Sequence, residues 1–210
     1  LTWSGDGFFL SGQRSLVVPS ISNMVIRNDA SHAWHNGFES TFSSWNTFFE
    51  NRADSADYGF WLGYSRDNVV RGNLLLGIRT AAIAIEHGAE SEIAANTIIG
   101  GATGIRLFIR EPDDEPSQGY RIDDNILAKV ERGIVLESTT RVRLRGNLFD
   151  GVAEGLVVDS AGADAEVVGN VFLSASRWLI NAVQLDAGGN FWGPRDPAAV
   201  QQQLKGRVNL

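Results

Sequence analysis

An asparagine recurs along this chain about every 23 residues, and its recurrence constrains the fold more than any other feature. It is the third residue of a phrase found at residues 71–74, 94–97, 123–126, 145–148 and 168–171. Asn23, Asn46 and Asn190 stand in weaker versions of the phrase, which gives spacings of 23, 27, 23, 29, 22, 23 and 20 residues. Such a period is typical of a solenoid, in which each repeat forms one coil.

Each repeat also carries a run in which apolar residues alternate with others. The runs open on a small residue about eight positions after the asparagine, at Gly59, Ala82, Gly104, Gly133 and Gly155. A period of two predicts a strand with one buried face. Because one short coil cannot bury that face alone, stacked coils must bury it against each other. The sequence therefore predicts an all-β fold, a parallel β-helix of about eight coils, with a helix only near residues 197–204.

The asparagines suit the corners of such coils. Asparagine tolerates left-handed backbone geometry, and identical amides one strand spacing apart can hydrogen-bond into a ladder. We therefore interpret all eight as structural. Stacking by this repeat also places opposite charges on neighbouring coils, pairing Asp123 with Arg145, Arg143 with Glu166, and Arg141 with Asp164.

Composition excludes several classes of function. Lys and Arg total 18 against 25 Asp and Glu, a net charge of -7, so phosphate backbones and anionic membranes would repel the chain. We expect no nucleic-acid partner and no membrane insertion. No cysteine, one methionine and three histidines leave no thiolate chemistry and few soft metal ligands. The chain begins at Leu1, and we expect further coils or another subunit at an open amino-terminal end.

The carboxyl end departs from the repeat and carries a resemblance. Residues 188–197 contain an Asn-Phe-Trp-Gly turn followed by an Asp-Pro pair and a short helical segment. This stretch resembles the closing coil of bacterial right-handed parallel β-helix proteins, and the asparagine phrases resemble repeats of the carbohydrate-binding and sugar-hydrolase group that includes the NosD-like proteins. The resemblance implies one β-helix domain over residues 1–210, closed by residues 188–210, and an extracellular or periplasmic location.

The resemblance implies a range of activities: polysaccharide lyases, epimerases, glycoside hydrolases and non-catalytic proteins share this fold. The Asp-Pro-His-Asp signature of the periplasmic mannuronan epimerases is absent. NosD is linked to copper, but this composition offers few of the Met, Cys and His side chains that bind copper.

Function on a solenoid is expected where the repeat is violated. The intervals from Asn46 to Gly59 and from Leu107 to Asn125 are longer than their counterparts, which predicts polar loops at residues 51–58 and 110–117. Thirteen of the 20 aromatic residues fall within residues 1–64, and all three histidines within residues 32–87. Because aromatic rings cover the C–H faces of sugars, we predict that a glycan-binding groove lies in the amino-terminal half.

Strand parity selects the candidate substrate-binding residues. If Phe60, Leu62, Ile83, Ile85, Ile105 and Leu107 point inward, Trp61, Ala84 and Arg106 form one outward row, and Gly63, Glu86 and Phe108 form the next. An exposed Trp61 beside small Ala84 suits an acidic sugar. Tyr58, Asp57 and His87 complete the substrate-binding set. Packing beneath the 51–58 loop or against a partner is the alternative for Trp61, and a hydrogen-bonded corner the alternative for His87.

The candidate catalytic residues are Glu86, His35, Glu39 and Arg106, and the first coil allows two registers for them. With Ser31 opening the strand, His35 enters the Glu86 row and could serve with it as general base and acid. With Gly37 opening it, Glu39 enters the Trp61 row, and Glu39 with Glu86 would suit a hydrolase. Arg106 would neutralise a uronate in an elimination or epimerisation.

No cofactor is expected, apart from calcium at the oxygen-rich residues 111–115, for which a solvated acidic loop is the alternative. Two functions follow. The first is a polysaccharide-active protein that binds or acts on an acidic glycan as a lyase, epimerase or hydrolase. The second is a non-catalytic glycan-binding or spacer module of a larger envelope or extracellular protein.

Overall fold

The computed structural model describes residues 5–12, 18–110, 117–159, 164–193 and 196–209. Most of them lie in short parallel strands or in the corners between strands. The elements in chain order are β1 (Phe8–Ser11), β2 (Met24–Ile26), β3 (Asn36–Thr41), β4 (Thr47–Phe49), β5 (Arg52–Asp54), β6 (Tyr58–Gly63), β7 (Val69–Arg71), β8 (Leu74–Glu86), β9 (Glu92–Ala94), β10 (Thr97–Phe108), β11 (Ser117–Gln118), β12 (Arg121–Asp123), β13 (Ile126–Ala128), β14 (Arg132–Leu136), β15 (Thr139–Thr140), β16 (Val142–Arg145), β17 (Leu148–Val158), β18 (Ala165–Val168), β19 (Val171–Asp186), α1 (Pro197–Gln202) and β20 (Leu204–Asn209).

Pairing between successive coils forms three walls. Wall 1 is a seven-stranded sheet of β2, β4, β7, β9, β12, β16 and β18. An 11-stranded sheet supplies the other two walls, because β5 and β6 pair with successive parts of β8. Wall 2 contains β5, β13 and the first parts of β8, β10, β17 and β19. Wall 3 contains β1, β3, β6, β14, β20 and the later parts of those long strands. This topology confirms the predicted parallel β-helix.

A ladder of asparagines runs along the corner between walls 1 and 2. From the second member onward, each Oδ1 accepts hydrogen bonds from the backbone N–H and the side-chain amide of the asparagine one coil earlier, at 2.8–3.1 Å. Its eight members are Asn28, Asn51, Asn73, Asn96, Asn125, Asn147, Asn170 and Asn190. The predicted structural role is confirmed, and the seven intervals of the ladder mark about seven turns.

The sequence prediction misplaced the first part of this ladder. Asn23 and Asn46 belong to a second, shorter ladder at the corner between walls 3 and 1, where Asn46 bonds in turn to Asn68. The main ladder continues through Asn51, which lies eight residues before Gly59 and so keeps the ordinary interval. The predicted polar loop at residues 51–58 is therefore wrong, since these residues form β5, a regular corner and the start of β6. Within the second predicted loop, residues 111–116 lie outside the described part of the chain.

The left-handed residue of each corner also differs from the prediction. It is the residue just before the asparagine, with φ between +52° and +72° at Arg27, Glu50, Gly72, Ala95, Asp124, Gly146, Gly169 and Gly189. Glycine is frequent at this position because it lacks the steric cost of a Cβ at positive φ. The asparagine itself is used for its amide.

The interior is filled by the inward rows of the three walls. Phe60, Leu62, Ile83, Ile85, Ile105 and Leu107 have no exposed surface, as strand parity predicts. Aromatic rings stack between coils, with centroids 4.9 Å apart for Phe38 and Phe60 and 4.4 Å apart for Phe149 and Phe172. Burying a side chain of this size contributes roughly 1.5–3 kcal/mol, so stacking of coils supplies the main stabilisation.

Charged residues line the outside of wall 1 in the predicted register. Asp123 pairs with Arg145 and Arg143 with Glu166 across the strands. Arg143 instead forms its ion pair on the diagonal, with Asp123 at 2.5 Å. Other ion pairs keep the register, since Arg121 pairs with Glu92 on the neighbouring coil at 3.0 Å and Arg141 reaches Glu90 two coils away at 2.7 Å. Long side chains reach the neighbouring position, which register alone does not specify.

The helix α1 begins as expected for a capped helix. Asp196 accepts hydrogen bonds from the backbone N–H groups of Ala198 and Ala199 at 2.9 and 3.0 Å, with Pro197 at the first helical position. After it, β20 pairs with β19 and continues wall 3. Within the described residues, no helix combines the length and apolar character needed to cross a membrane.

Tyr120 gives the fold a predicted sensitivity to alkali. Its hydroxyl is buried beside Ser117 Oγ at 2.9 Å, and burial raises the tyrosine pKa above its ordinary value of 10.0. Because the pKa of Tyr120 is higher in the folded than in the unfolded protein, the contribution of its buried neutral hydroxyl to folding stability is complete below about pH 10. This contribution is lost as the pH rises above that value. We expect Tyr120→Phe to lower the free energy of unfolding by about 1–2 kcal/mol at pH 7. Between pH 9 and 11, the free energy of unfolding of this variant should fall less than that of the wild type. Urea unfolding across this range tests it, and parallel pH curves for both proteins would contradict it.

Candidate functional site

The candidate site lies on the outer surface of wall 3 between β3 and β14. Glu39 pairs in register with Trp61, and Trp61 with Ala84 and then Arg106. The register opened by Gly37 is therefore the observed one. The alternative that places His35 in the Glu86 row is wrong, because Asn36 pairs with Tyr58 and leaves His35 at the corner before β3.

Trp61 lies in its predicted outward row but is not a free platform. Its indole meets the Tyr58 ring edge-on at 4.8 Å and the Phe108 ring edge-on at 5.9 Å, and it helps to bury Ala84 completely. Its Nε1 lies above Gly63, where a Cβ would be only 3.2 Å away. The small neighbours thus make room for the indole to lie along the wall, so that Trp61 is half-buried.

Two arginines lie against these aromatic rings. The guanidinium carbon of Arg106 is 4.1 Å from the centroid of Phe108, and that of Arg110 is 5.9 Å from the centroid of Trp61. Arg106 also forms an ion pair with Glu137 at 2.7 Å. The Arg110 side chain keeps 64% of its surface exposed and makes a longer contact, 3.5 Å, with Glu86. Arg110 is therefore the more available cation of the two.

A shallow cleft of about 420 Å³ opens beside these arginines. It is lined by Arg106, Phe108, Ile109, Arg110, Glu137, Ser138 and Asp159. Cations, carboxylates and an aromatic ring therefore surround one concave surface, the mixture with which proteins bind polar ligands.

Glu86 is placed as predicted but is largely withdrawn from solvent. It is 6% exposed, and Arg110 covers it. Glu39 lies on the same wall, two coils and two residues away, which corresponds to about 12 Å between the Cα atoms. The hydrolase pair therefore shares one face, while Glu86 and Arg106 are both engaged in ion pairs.

His87 occupies a corner, at φ +50°, and its ring stacks on that of Tyr64 at 4.7 Å. It is 4% exposed, and neither ring nitrogen has a hydrogen-bond partner among the described residues. The corner position that the sequence offered for His87 is correct, but the hydrogen bond expected there is not found in the described part of the chain.

The amino-terminal edge of the site gathers a histidine and two carboxylates. His35 Nδ1 lies 3.1 Å from Asp6 Oδ1, and the backbone N–H of Asn36 donates to the same oxygen at 3.0 Å. Glu39 accepts hydrogen bonds from Asn36 Nδ2 at 2.5 Å and from Thr41 Oγ1 at 2.8 Å. One potential ligand atom from each of Asp6, His35 and Glu39 lies within 4.8 Å of the others.

Asp57 is tied to the scaffold. It accepts a hydrogen bond from Arg79 Nε at 2.7 Å, and Arg79 also bonds the carbonyl oxygens of Ser55 and Trp34. Asp57 thus helps to join neighbouring coils, whereas Tyr58 lies half-buried on the site face beside Trp61.

Sequence reasoning missed Asp6, Asn36, Arg110 and Glu137 as members of the site. Glu137 continues the row of Glu86 and Phe108, so the run opened by Gly133 carried enough information to find it. Asp6 carried no such signal, because its coil was not aligned with the others. Arg110 lies beyond the end of its strand, where the repeat says nothing about side-chain direction.

Comparison with known proteins gives one family match and a match of fold. A family model described as the periplasmic copper-binding protein NosD matches residues 2–201. A search of curated proteins gave no match. The crystal structure of the periplasmic alginate epimerase AlgG superposes with a TM-score of 0.57 at 14% identity, covering 100% of this chain and 62% of that chain. QnrB1, a plasmid-mediated fluoroquinolone resistance protein, superposes with a TM-score of only 0.26 at 11% identity, covering 100% of this chain and 92% of that chain.

Proposed function

The chain belongs to the NosD family of right-handed β-helix proteins, and from this premise we propose that it binds an acidic glycan along the outer surface of wall 3. The observation that carries the proposal is the contact of two guanidinium groups with aromatic rings beside an open cleft. Guanidinium groups suit sugar carboxylates, and aromatic edges and faces suit the C–H groups of a pyranose. Because NosD and AlgG are both described as periplasmic, we propose the same location here.

Arg110 is the residue best placed to bind a sugar carboxylate. Its guanidinium is exposed, and its contact with Glu86 is longer than an optimal hydrogen bond. The Arg106 guanidinium lies over the Phe108 ring, and its ion pair with Glu137 fixes the orientation of the Arg106 side chain. The two arginines would thus act differently, with Arg110 free to reorient toward a ligand and Arg106 held in place.

The family description names copper, and the ligand atoms of this chain can be compared with those that copper prefers. Cu(I) prefers thiolate and thioether ligands. The chain has no cysteine, and its one methionine, Met24, is 70% exposed on wall 1. This donor set does not fit a Cu(I) site, and the glycan proposal needs no copper. The imidazole and carboxylates around Asp6 are a harder donor set.

Binding is tested by affinity electrophoresis through gels that contain alginate or polygalacturonate, with dextran as the neutral control. We expect Arg110→Gln to weaken retention on the acidic polymers about tenfold, because it removes one charge-assisted hydrogen bond of about 1.5–3 kcal/mol. Arg121→Gln is the matched control, since Arg121 is similarly exposed and ion-paired but lies on wall 1. Equal retention of the two variants, or no retention of the wild type, would contradict the proposal.

The same polymers distinguish a binding module from an enzyme. Incubation followed by measurement of double-bond absorbance, reducing ends and uronate epimer content detects elimination, hydrolysis and epimerisation respectively. Retention without any of these products identifies the non-catalytic module. A product that disappears in Glu39→Gln assigns the chemistry to this wall.

A further inference from the structure

We propose that Asp6, His35 and Glu39 form a site for a divalent transition-metal cation at the amino-terminal edge of wall 3. The site goes beyond the proposed glycan binding and does not depend on it. Its donors are one imidazole nitrogen and two carboxylate oxygens, a set that suits Zn²⁺ and Cu²⁺ and not Cu(I).

One of the three donor separations already matches that of a metal coordination shell, and the other two are within 4.8 Å. His35 Nδ1 and Asp6 Oδ1 are 3.1 Å apart, and all three ligand atoms lie within 4.8 Å of one another. Two ligands bound at about 2.1 Å from one cation are about 3.0–3.4 Å apart at right-angled or tetrahedral positions. Glu39 therefore has to move inward by up to about 1.4 Å for the three atoms to share one cation.

The backbone of the first two coils holds the histidine and the aspartate together. The His35 N–H donates to Gly5 O, and the Gly7 N–H donates to Asn36 O, both at 2.8 Å. On the other side, the N–H groups of Asp57 and Tyr58 both donate to His35 O. The corner that carries His35 is thus fixed by the coils before and after it.

Hydrogen bonds of the kind found around metal ligands hold both carboxylates. Asn36 donates from its backbone to Asp6 and from its side chain to Glu39, and Thr41 donates to the other oxygen of Glu39. Such outer partners orient metal ligands. The His35 side chain stays 57% exposed, so a cation from solvent can reach the site.

An unsatisfied oxygen in the same group of side chains is a second, independent indication. Asn36 is 1% exposed, and its Oδ1 has no hydrogen-bond partner among the described residues. Buried carbonyl oxygens are normally paired. The amide N–H of the same side chain donates to Glu39, so a water molecule bound to the cation would be near enough to supply the missing partner.

Isothermal titration of the folded chain with ZnCl₂ and CuCl₂, without glycan, tests the site. We expect one saturable site, with Cu²⁺ bound more tightly than Zn²⁺, and we expect His35→Asn to weaken binding of both at least tenfold. Glu39→Gln should weaken binding as well while keeping an acceptor for Asn36. The EPR spectrum of the Cu²⁺ complex should show coupling to one nitrogen that His35→Asn removes.

His32→Asn is the matched control. His32 is an exposed histidine outside the Asp6 group, and asparagine tolerates its backbone φ of +60°. Circular dichroism spectra of all variants establish that they are folded, and Glu39→Gln keeps the test decisive if His35→Asn does not fold. Wild-type affinity in both His35→Asn and Glu39→Gln, or an equal loss in His32→Asn, would overturn the site. Since no glycan is present, neither result bears on the glycan proposal.

Discussion

Replacing Asn125 with alanine is expected to lower the free energy of unfolding by about 3–5 kcal/mol, the largest effect of any single change considered for this chain. Asn125 has no exposed surface and lies in the middle of the ladder. Its Oδ1 accepts from the backbone and side chain of Asn96, and its Nδ2 donates to Ile93 O and Asn147 Oδ1. Alanine would leave several of these buried groups unpaired, at about 1–3 kcal/mol each before relaxation.

Urea unfolding followed by both circular dichroism and tryptophan fluorescence measures this loss. Agreement of the two probes also tests whether the coils unfold together. The matched control is Asn28→Ala, because Asn28 is the exposed first member of the same ladder and its loss should cost about 1 kcal/mol or less. Equal losses at Asn125 and Asn28 would show that burial of the ladder does not determine its contribution.

Replacing Gly133 with alanine is expected to cost about 3 kcal/mol through overpacking. Gly133 is the second residue of β14, and a Cβ there would overlap the carbonyl oxygen of Gly155 on the next coil and lie 2.8 Å from the ring of Phe149. The first of these contacts is with backbone and cannot be relieved by a change of rotamer. The coils would have to separate locally, which exposes apolar surface. The midpoint of urea unfolding measures the effect.

Gly77→Ala separates this crowding from the conformational role of glycine. Gly77 has a φ of +53°, and a Cβ there would meet nothing within 4 Å, so only the cost of a left-handed alanine applies. That cost is about 1–2 kcal/mol. A loss at Gly77 as large as that at Gly133 would contradict the account from crowding between coils.

The repeat was enough to predict most of the fold, but it did not show which asparagine lies at which corner in the first coils. Asparagines occupy two different corners, and the sequence does not distinguish Asn46 in one ladder from Asn51 in the other. Each is followed at once by a strand of three residues, Thr47–Phe49 after Asn46 and Arg52–Asp54 after Asn51. This ambiguity produced the predicted loop at residues 51–58, whereas in the structure β5 continues wall 2.

The candidate site was predictable to the level of rows. Parity correctly placed Trp61 and Arg106 on one outward row and Glu86 on the next, whereas it left two registers for the first coil, of which only the one opened by Gly37 puts Glu39 in the Trp61 row. Parity does not specify where a long side chain leans. Trp61 folds over Ala84 toward Phe108, and Arg110 reaches back to cover Glu86. The exposed platform expected at Trp61 is therefore a packed aromatic group, and the candidate catalytic residue Glu86 is a paired carboxylate.

The parallel β-helix, its inward rows and its structural asparagines could be predicted from the sequence, because each depends on a period of 2 or of about 23 residues that repeats in the chain. Which side chains meet across coils is known only from the folded structure. Asp6 and His35 are separated by 29 residues and become neighbours because the first two coils stack in one particular register. Contacts of this kind depend on register and on side-chain rotamers, and neither leaves a periodic signal in the sequence.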